Sequence, residues 1–209
     1  MQETAESVKE YGVLVPALAR PREDGGYELI AGHRRKHACE LAGLATMPVI
    51  VRDIDRDAAT IIMVDSNLQR ENILPSERAK AYKMKMEAIK RQGARTDLTS
   101  PKISAKFRSD DEVGQDAGVS GDTIRNYIAL TQLVPELQQM VDEKKIALSP
   151  AYQIAALTPK KQGLLLETID SEQATPSLSQ AQRMKKLSQS GELNEDTMLS
   201  IMMEQKKPE

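Results

Sequence analysis

Apolar positions recur at the spacing of one helix face from Thr4 to Tyr11, at Ala5, Val8 and Tyr11, and Gly12 marks the stop. Two short apolar runs, Ala17–Arg20 and Tyr27–Ala31, flank the turn residues Glu23-Asp24-Gly25-Gly26 and predict a β-hairpin. A helix is predicted over Arg34–Ala42, with Ala38, Leu41 and Ala42 inward and Gly43 just past its end. Met47–Arg52 reads as a third strand, with Pro48 near its start where a missing N–H costs least. Asp55 caps a helix over Arg56–Val64 in which Ala58, Ala59, Ile61 and Ile62 pack, and Asp65–Asn72 interrupts or extends it. Ser76–Gln92 is a long helix with Ala79, Tyr82, Met86 and Ile89 at three- and four-residue spacing.

From Gly93 to Ser109 the chain is polar and reads as a linker, with room for a short helix around Ile103–Phe107. Asp111–Leu130 then has the layout of a helix-turn-helix. Ser109 and Glu112 form a capping-box pair, Gly114 allows a close helix crossing, and Gly118 supplies the positive φ of the turn. Ser120 caps the second helix, whose apolar side carries Ile124, Tyr127, Ile128 and Leu130. Ser120, Gly121, Asp122, Thr123, Arg125 and Asn126 are left facing outward at its N-terminal half, the end that meets base edges when such a helix enters a major groove. An ordinary helical hairpin would use the same glycines. Further helices are predicted from Pro135 to about Lys145, after Ser149-Pro150 and after Thr158-Pro159, each of these two pairs reading as cap plus first-turn proline. Ser171–Ser177 is a linker, and Ser179–Leu187 and Glu195–Met203 are the last helical candidates. The fold class is therefore a small α+β domain over 1–92, an all-α helix-turn-helix domain over 93–170, and a helical extension or linker over 171–209.

Composition adds limits. The 209 residues contain one cysteine, which excludes an internal disulfide. No apolar run approaches a membrane span, and Met1 is followed by QETAES rather than a basic signal start, so a cytoplasmic protein is expected. A net charge of −2 does not announce a polyanion binder. Around the helix-turn-helix, Arg95, Lys102, Lys106, Arg108 and Arg125 are outnumbered by Asp97, Asp110, Asp111, Glu112, Asp116 and Asp122. Phosphate attraction there must come from arrangement rather than totals.

Two short boxes could carry chemistry. Gly32-His33-Arg34-Arg35 stands where a strand meets a helix start; free backbone N–H groups, a glycine and two guanidinium forks suit phosphate oxygens. A solvated basic helix start would look the same. Asn67-Leu68-Gln69-Arg70 offers amides and an arginine for phosphate, a base edge or hydrated Mg²⁺, although a capped helix junction is the simpler reading. His33 and His37 lie four apart, but no cysteine or carboxylate cluster completes a metal site. Cys39 reads as a small buried side chain, and Met198, Met202 and Met203 as packing surface. No Ser-His-Asp or Cys-His arrangement is legible.

The order LIAGHRRKHACELAG, DSNLQRENILPSERAKAY and then the helix-turn-helix resembles the ParB family of partition proteins over roughly residues 3–160. The resemblance implies that Gly32, His33, Arg34 and Arg35 cradle the triphosphate of CTP, that Asn67, Gln69 and Arg70 complete the pocket, and that Asn67 positions Mg²⁺. It implies a homodimer on a palindromic double-stranded DNA site, read by Ser120, Gly121, Asp122, Thr123, Arg125 and Asn126, with nucleotide closing a clamp. Such a protein is nucleoid- or plasmid-associated and works with a ParA-type ATPase, engaged here through segments outside this chain. His33 and Ser66 stand where the family commonly has glutamates, and the second of these is implicated in hydrolysis, so no catalytic residue is assigned and a weak CTPase is left open. The family's preceding strand and proline-arginine segment are not matched, and the chain is expected to be a fragment of a longer protein. Two other readings stay open: a nucleotide-dependent enzyme of the ParB/sulfiredoxin-like fold, and a nucleotide-independent transcriptional repressor.

Overall fold

The computed structural model describes residues 2–96 and 109–204, which form two compact units. The first holds the described residues through Arg70 and, within one long helix, those from Met84 onward; the second holds Glu71–Lys83 and the described residues from Ser109. The first unit contains α1 (Gln2–Tyr11), β1 (Ala17–Pro21), β2 (Tyr27–Ala31), α2 (His33–Leu41), β3 (Val49–Val51) and α3 (Arg56–Leu68). Its three strands lie in the order β2-β1-β3, with β1 antiparallel to β2 and parallel to β3. Central β1 alternates, burying Ala17 and Ala19. β3 is shorter than the expected Met47–Arg52; two bonds just outside it, Ala17 N–H to the Pro48 carbonyl and Arg52 N–H to the Ala19 carbonyl, complete the ladder.

Helix α1 packs on α2 through Val8, Ala38 and Cys39. Two expectations fail here: Tyr11 is 64% exposed and Leu41 is 56% exposed. Cys39, adjacent to Ala38 on the helix surface, takes the inward place, and the helical turn carries Leu41 away from α1. Helix α3 is capped by Asp55, which accepts from Ala58 N–H at 2.7 Å, and it continues through Asp65–Asn67. Of the stretch left open in the sequence, Asp65–Leu68 extends that helix and Gln69–Asn72 lies beyond its end. The long helix α4 (Pro75–Thr96) buries Ala79, Tyr82, Lys85 and Ala88. The expected pattern had Met86 and Ile89 in place of the last two; both are half-buried. A strict three-residue spacing winds around the helix, and it brings a lysine onto the buried stripe.

The second unit contains α5 (Ser109–Ala117), α6 (Gly121–Ala129), a 3₁₀ turn at Leu130–Gln132, α7 (Pro135–Asp142), α8 (Leu148–Ile154), α9 (Pro159–Glu172), α10 (Leu178–Ser190) and α11 (Glu195–Met203). Its core is aliphatic. Ala181, Met184, Met198 and Ile201 from α10 and α11 join Leu137, Ile154 and Leu165 in one cluster, so residues 178–203 are packed into the helical unit. Buried Gln162 is satisfied by its surroundings, accepting from Val134 N–H and donating to the Gln132 and Leu157 carbonyls. Helix α8 starts at Leu148 with Ala147 as its cap, so Ser149 and Pro150 sit in the first turn, where a missing N–H has no helical partner to lose. The Thr158-Pro159 start stands as expected. The expected helix near Ile103–Phe107 and the side chains of the Ser109–Glu112 pair lie outside the described residues. Among the described residues no helix is long and apolar enough to cross a membrane.

Because Met198 is fully buried and Met203 is 63% exposed, Met198→Ala is expected to cost about 2–5 kcal/mol, while Met203→Ala stays within about 0.5 kcal/mol of the parent. Urea unfolding of the two variants checks the packing of α10 and α11; equal midpoints would contradict it.

Candidate functional site

Strand β2 ends and α2 begins at Gly32, whose φ of 107° lies in the left-handed region. A Cβ there would stand 2.7 Å from the Cβ of Ala17 on β1, so both backbone angle and space demand glycine. The turn sets the start of α2 on the wall of a cleft of about 240 Å³. On one side lie Ile30, Ala31, Gly32, His33, Arg34 and Arg35; on the other lie Met63, Ser66, Asn67 and Arg70. Three of that second group, Met63, Ser66 and Asn67, follow the i, i+3, i+4 rule of one face of α3, and Arg70 continues it just past the helix end. The two boxes legible in the sequence therefore meet. Among the described residues, those lining the cleft include a histidine and three arginines and no carboxylate.

The roles within the cleft differ. Arg34 and Arg70 are exposed at its rim. Arg35 donates through Nη1 to the carbonyls of Val15 and Pro16 at 2.6 and 2.7 Å, so it braces the segment before β1 as well as lining the cleft. Gln69 does not line it; it is the exposed C-cap residue of α3, its N–H bonded to the Asp65 carbonyl. Asp65, one residue before Ser66, also stays out, because its carboxylate accepts from the Lys85 ammonium at 2.7 Å. Among the described residues no group of three or more histidine, cysteine or acidic side chains is placed to hold a metal. A larger groove of about 700 Å³ beside the hairpin has its charges matched internally, Arg20 to Glu28 at 2.8 Å and Arg22 to Asp24 at 2.5 Å.

In the second unit, α5 and α6 cross at Gly114, where a Cβ would stand 2.6 Å from the Val119 carbonyl oxygen. Gly118 makes the turn at φ 68°. Ser120 caps α6, accepting from Thr123 N–H at 3.2 Å, and Val113 and Ile124 are fully buried between the helices. Ser120, Asp122, Arg125 and Asn126 are exposed and Thr123 is half-buried. Gly121 corrects the outward expectation. It is buried, with the Asp111 carboxylate 2.2 Å from where a Cβ would be. Arg125 bonds to Asp110 on α5 and Asp122 on its own helix, which ties the α6 cation to its neighbours.

The inner side of α6 is held by an aromatic ladder. Tyr127 meets Tyr82 edge-on at 5.7 Å and Tyr152 at 6.1 Å, and the Arg78 guanidinium lies 5.7 Å over its ring. Burial, followed by the neighbouring Tyr127, pushes the Tyr152 phenol up to about 12. Sequence reasoning missed the Lys85–Asp65 pair, the Arg91–Asp57 pair at 2.8 Å and the bracing by Arg35. The only signal for the pairs was a long helix rich in lysine and arginine, following a helix that carries two aspartates eight positions apart.

The sequence matches two family models, the ParB N-terminal domain over residues 1–68 and the ParB HTH domain over residues 102–189. It is 36% identical over 158 residues to the probable chromosome-partitioning protein ParB of Treponema pallidum, covering 76% of this chain and 44% of that protein. The chain spans about half the length of the curated relatives it matches. It is 27% identical to the C-terminally truncated chromosome-partitioning protein ParB from Caulobacter crescentus complexed to the centromeric parS site, with a TM-score of 0.54 and coverage of 89% of this chain and 88% of that one. A structure of the truncated Caulobacter crescentus protein complexed with CTP-gamma-S is 30% identical, covering 80% of this chain and 84% of that one with a TM-score of 0.32.

A phenol whose folded-state pKa lies above the ordinary value near 10 favours the folded state while it is neutral. The stability tied to Tyr152 is thus complete below about pH 10 and is lost as pH climbs towards about 12. Tyrosinate absorbance should show a late step near pH 12 that vanishes in Tyr152→Phe; a parent chain whose tyrosines all ionise together near 10 would contradict it.

Proposed function

The chain belongs to the ParB family of partition proteins, and on that premise we propose that it binds a specific duplex DNA site through α5 and α6 and that CTP, held in the β2–α2/α3 cleft, gates this binding. The observation that carries the reading is the cleft itself. Two boxes more than thirty positions apart converge on one concavity with cationic side chains, a helix N-terminus and no lining carboxylate. The residues fit a triphosphate. Arg34 and Arg70 present forked donors, the Gly32 turn gives access to backbone N–H groups, and His33 and Asn67 add polar edges. Arg35 holds the rim in shape. Mg²⁺ would neutralise phosphate charge, with Ser66 and Asn67 as neutral oxygen ligands beside it. With Ser66 at the cleft and Asp65 engaged by Lys85, no lining carboxylate is available to orient an attacking water, so we read the cleft as a binding site rather than a turnover site.

On the DNA side, exposed Asn126, Ser120 and Asp122 at the N-terminal half of α6 are the groups offered to base edges, with Thr123 partly covered. Arg125 is held against α5 by Asp110 and sets the helix in place as well as presenting charge. The relative from Caulobacter crescentus was solved on its parS site, and a palindromic site read by a homodimer is the corresponding expectation for this chain. The protein would then be nucleoid- or plasmid-associated, with a ParA-type ATPase as its partner.

Selection of duplexes from a random pool, with and without CTP, tests the reading. One enriched palindrome is expected, with retention that changes when CTP is added. Asn126→Ala should cost about 1–3 kcal/mol and relax choice at one base position. Arg34→Ala should weaken CTP binding at least tenfold, in line with about 1.5–3 kcal/mol for a hydrogen bond to a charged group. A pool that returns no preferred sequence would overturn the DNA assignment.

A further inference from the structure

Helix α4 carries a lysine on its buried stripe. Lys85 is 2% exposed, among the largest fully buried side chains described, and its ammonium donates to Asp65 Oδ1 on α3 at 2.7 Å. A second pair, Arg91 Nε to Asp57 Oδ1 at 2.8 Å, joins the same two helices. The order, 57 with 91 and 65 with 85, sets α3 and the Met84-onward half of α4 antiparallel. Burying an ammonium is costly even when it is paired, and two apolar side chains of similar volume often hold helices together as well or better. The best-attested use of such a pair is to set registry between elements. Together the two pairs, each with one buried and one half-exposed side chain, index the spacing and the rotation of α3 against this half of α4.

That rotation has a consequence for the cleft. Ser66 and Asn67, the residues directly after Asp65, project from α3 into the cleft with Met63. At 100° per residue, a small turn of α3 re-aims all three together. The helix α4 that holds Lys85 continues without a break into its Pro75–Lys83 half, which belongs to the helix-turn-helix unit and packs Tyr82 on Tyr127 of α6. We propose that the Lys85–Asp65 pair is the joint through which occupancy of the cleft is passed to α4 and so to DNA binding. The inference rests on the nucleotide and DNA reading above and assigns it a residue pair. Lys85 and Asp65 are positioning residues, since neither lines the cleft or faces the duplex.

The test measures affinity of the full chain for its selected duplex, with and without CTP, in the parent and in Asp65→Leu/Lys85→Met. Coupling is reciprocal, so CTP affinity with and without DNA gives the same ratio and serves as an internal check. The parent should show a ratio of about tenfold, within the usual range of such couplings. The double variant should bind CTP alone and DNA alone to within about threefold of the parent, while the ratio falls below about twofold. Lys85→Arg, which keeps the charge, should retain most of the ratio; Lys85→Ala is expected to unfold more readily and is read only for stability. A double variant with the parent's full ratio would overturn the joint, because the pair would then be structural alone. A parent that binds CTP and DNA with no ratio between them would also overturn it while leaving the function standing. A parent that binds no CTP would end the nucleotide reading and the joint together.

Discussion

Each functional element depends on a glycine where there is no room for a side chain. At Gly32 a Cβ would collide with Ala17 on the central strand, and at Gly114 it would collide with the Val119 carbonyl. The first constraint lets α2 start hard against β1, which places its first residues on the cleft wall. The second lets α5 and α6 cross closely enough to bury Val113 and Ile124, which leaves the N-terminal half of α6 on the surface. In each case the backbone approaches first, and the polar chemistry is arranged around that approach.

Charge is distributed by pairing rather than by excess. Net charge is near zero, and the large groove by the hairpin cancels its own arginines. The cleft differs because Arg34 and Arg70 sit at its rim with no carboxylate among its lining. On the helix-turn-helix the situation is reversed. Arg125 is drawn in by Asp110 and Asp122, so the outward half of α6 presents small polar groups more than bare cations. Affinity for a phosphate backbone must then draw on cations elsewhere in the assembly, while α6 contributes discrimination.

The two units are stabilised in different ways. The helical unit has a continuous aliphatic cluster running from Leu130 to Met202, with one amide, Gln162, fully satisfied inside it. The α+β unit has a small apolar cluster of Val8, Ala38 and Cys39, and two ion pairs join α3 to α4. Each pair joins a buried side chain to a half-exposed one, Lys85 to Asp65 and Asp57 to Arg91, so the positions of the charges decide where the two helices meet. The unit that holds the cleft is thus the one whose helices are indexed by charge.

The sequence by itself determined the element order, the small sheet with helices, the helix-turn-helix and the two boxes, because these are written in local signals. Turn glycines, the Ser120 cap, the Thr158-Pro159 helix start and period-two or period-3.6 apolar patterns act within a few residues. It erred where burial depends on what lies across a gap. Tyr11 and Leu41 fit a helical stripe yet face outward, Gly121 sits on a polar face yet is buried, and Lys85 was unreadable as a core residue. Only the tertiary structure decided that Gly32-His33-Arg34-Arg35 and Ser66-Asn67 share a cleft, that Gln69 does not, and that Asp65 is taken up by Lys85. Those outcomes depend on which helix faces which, and a helix carries no local record of the neighbour that will cover it.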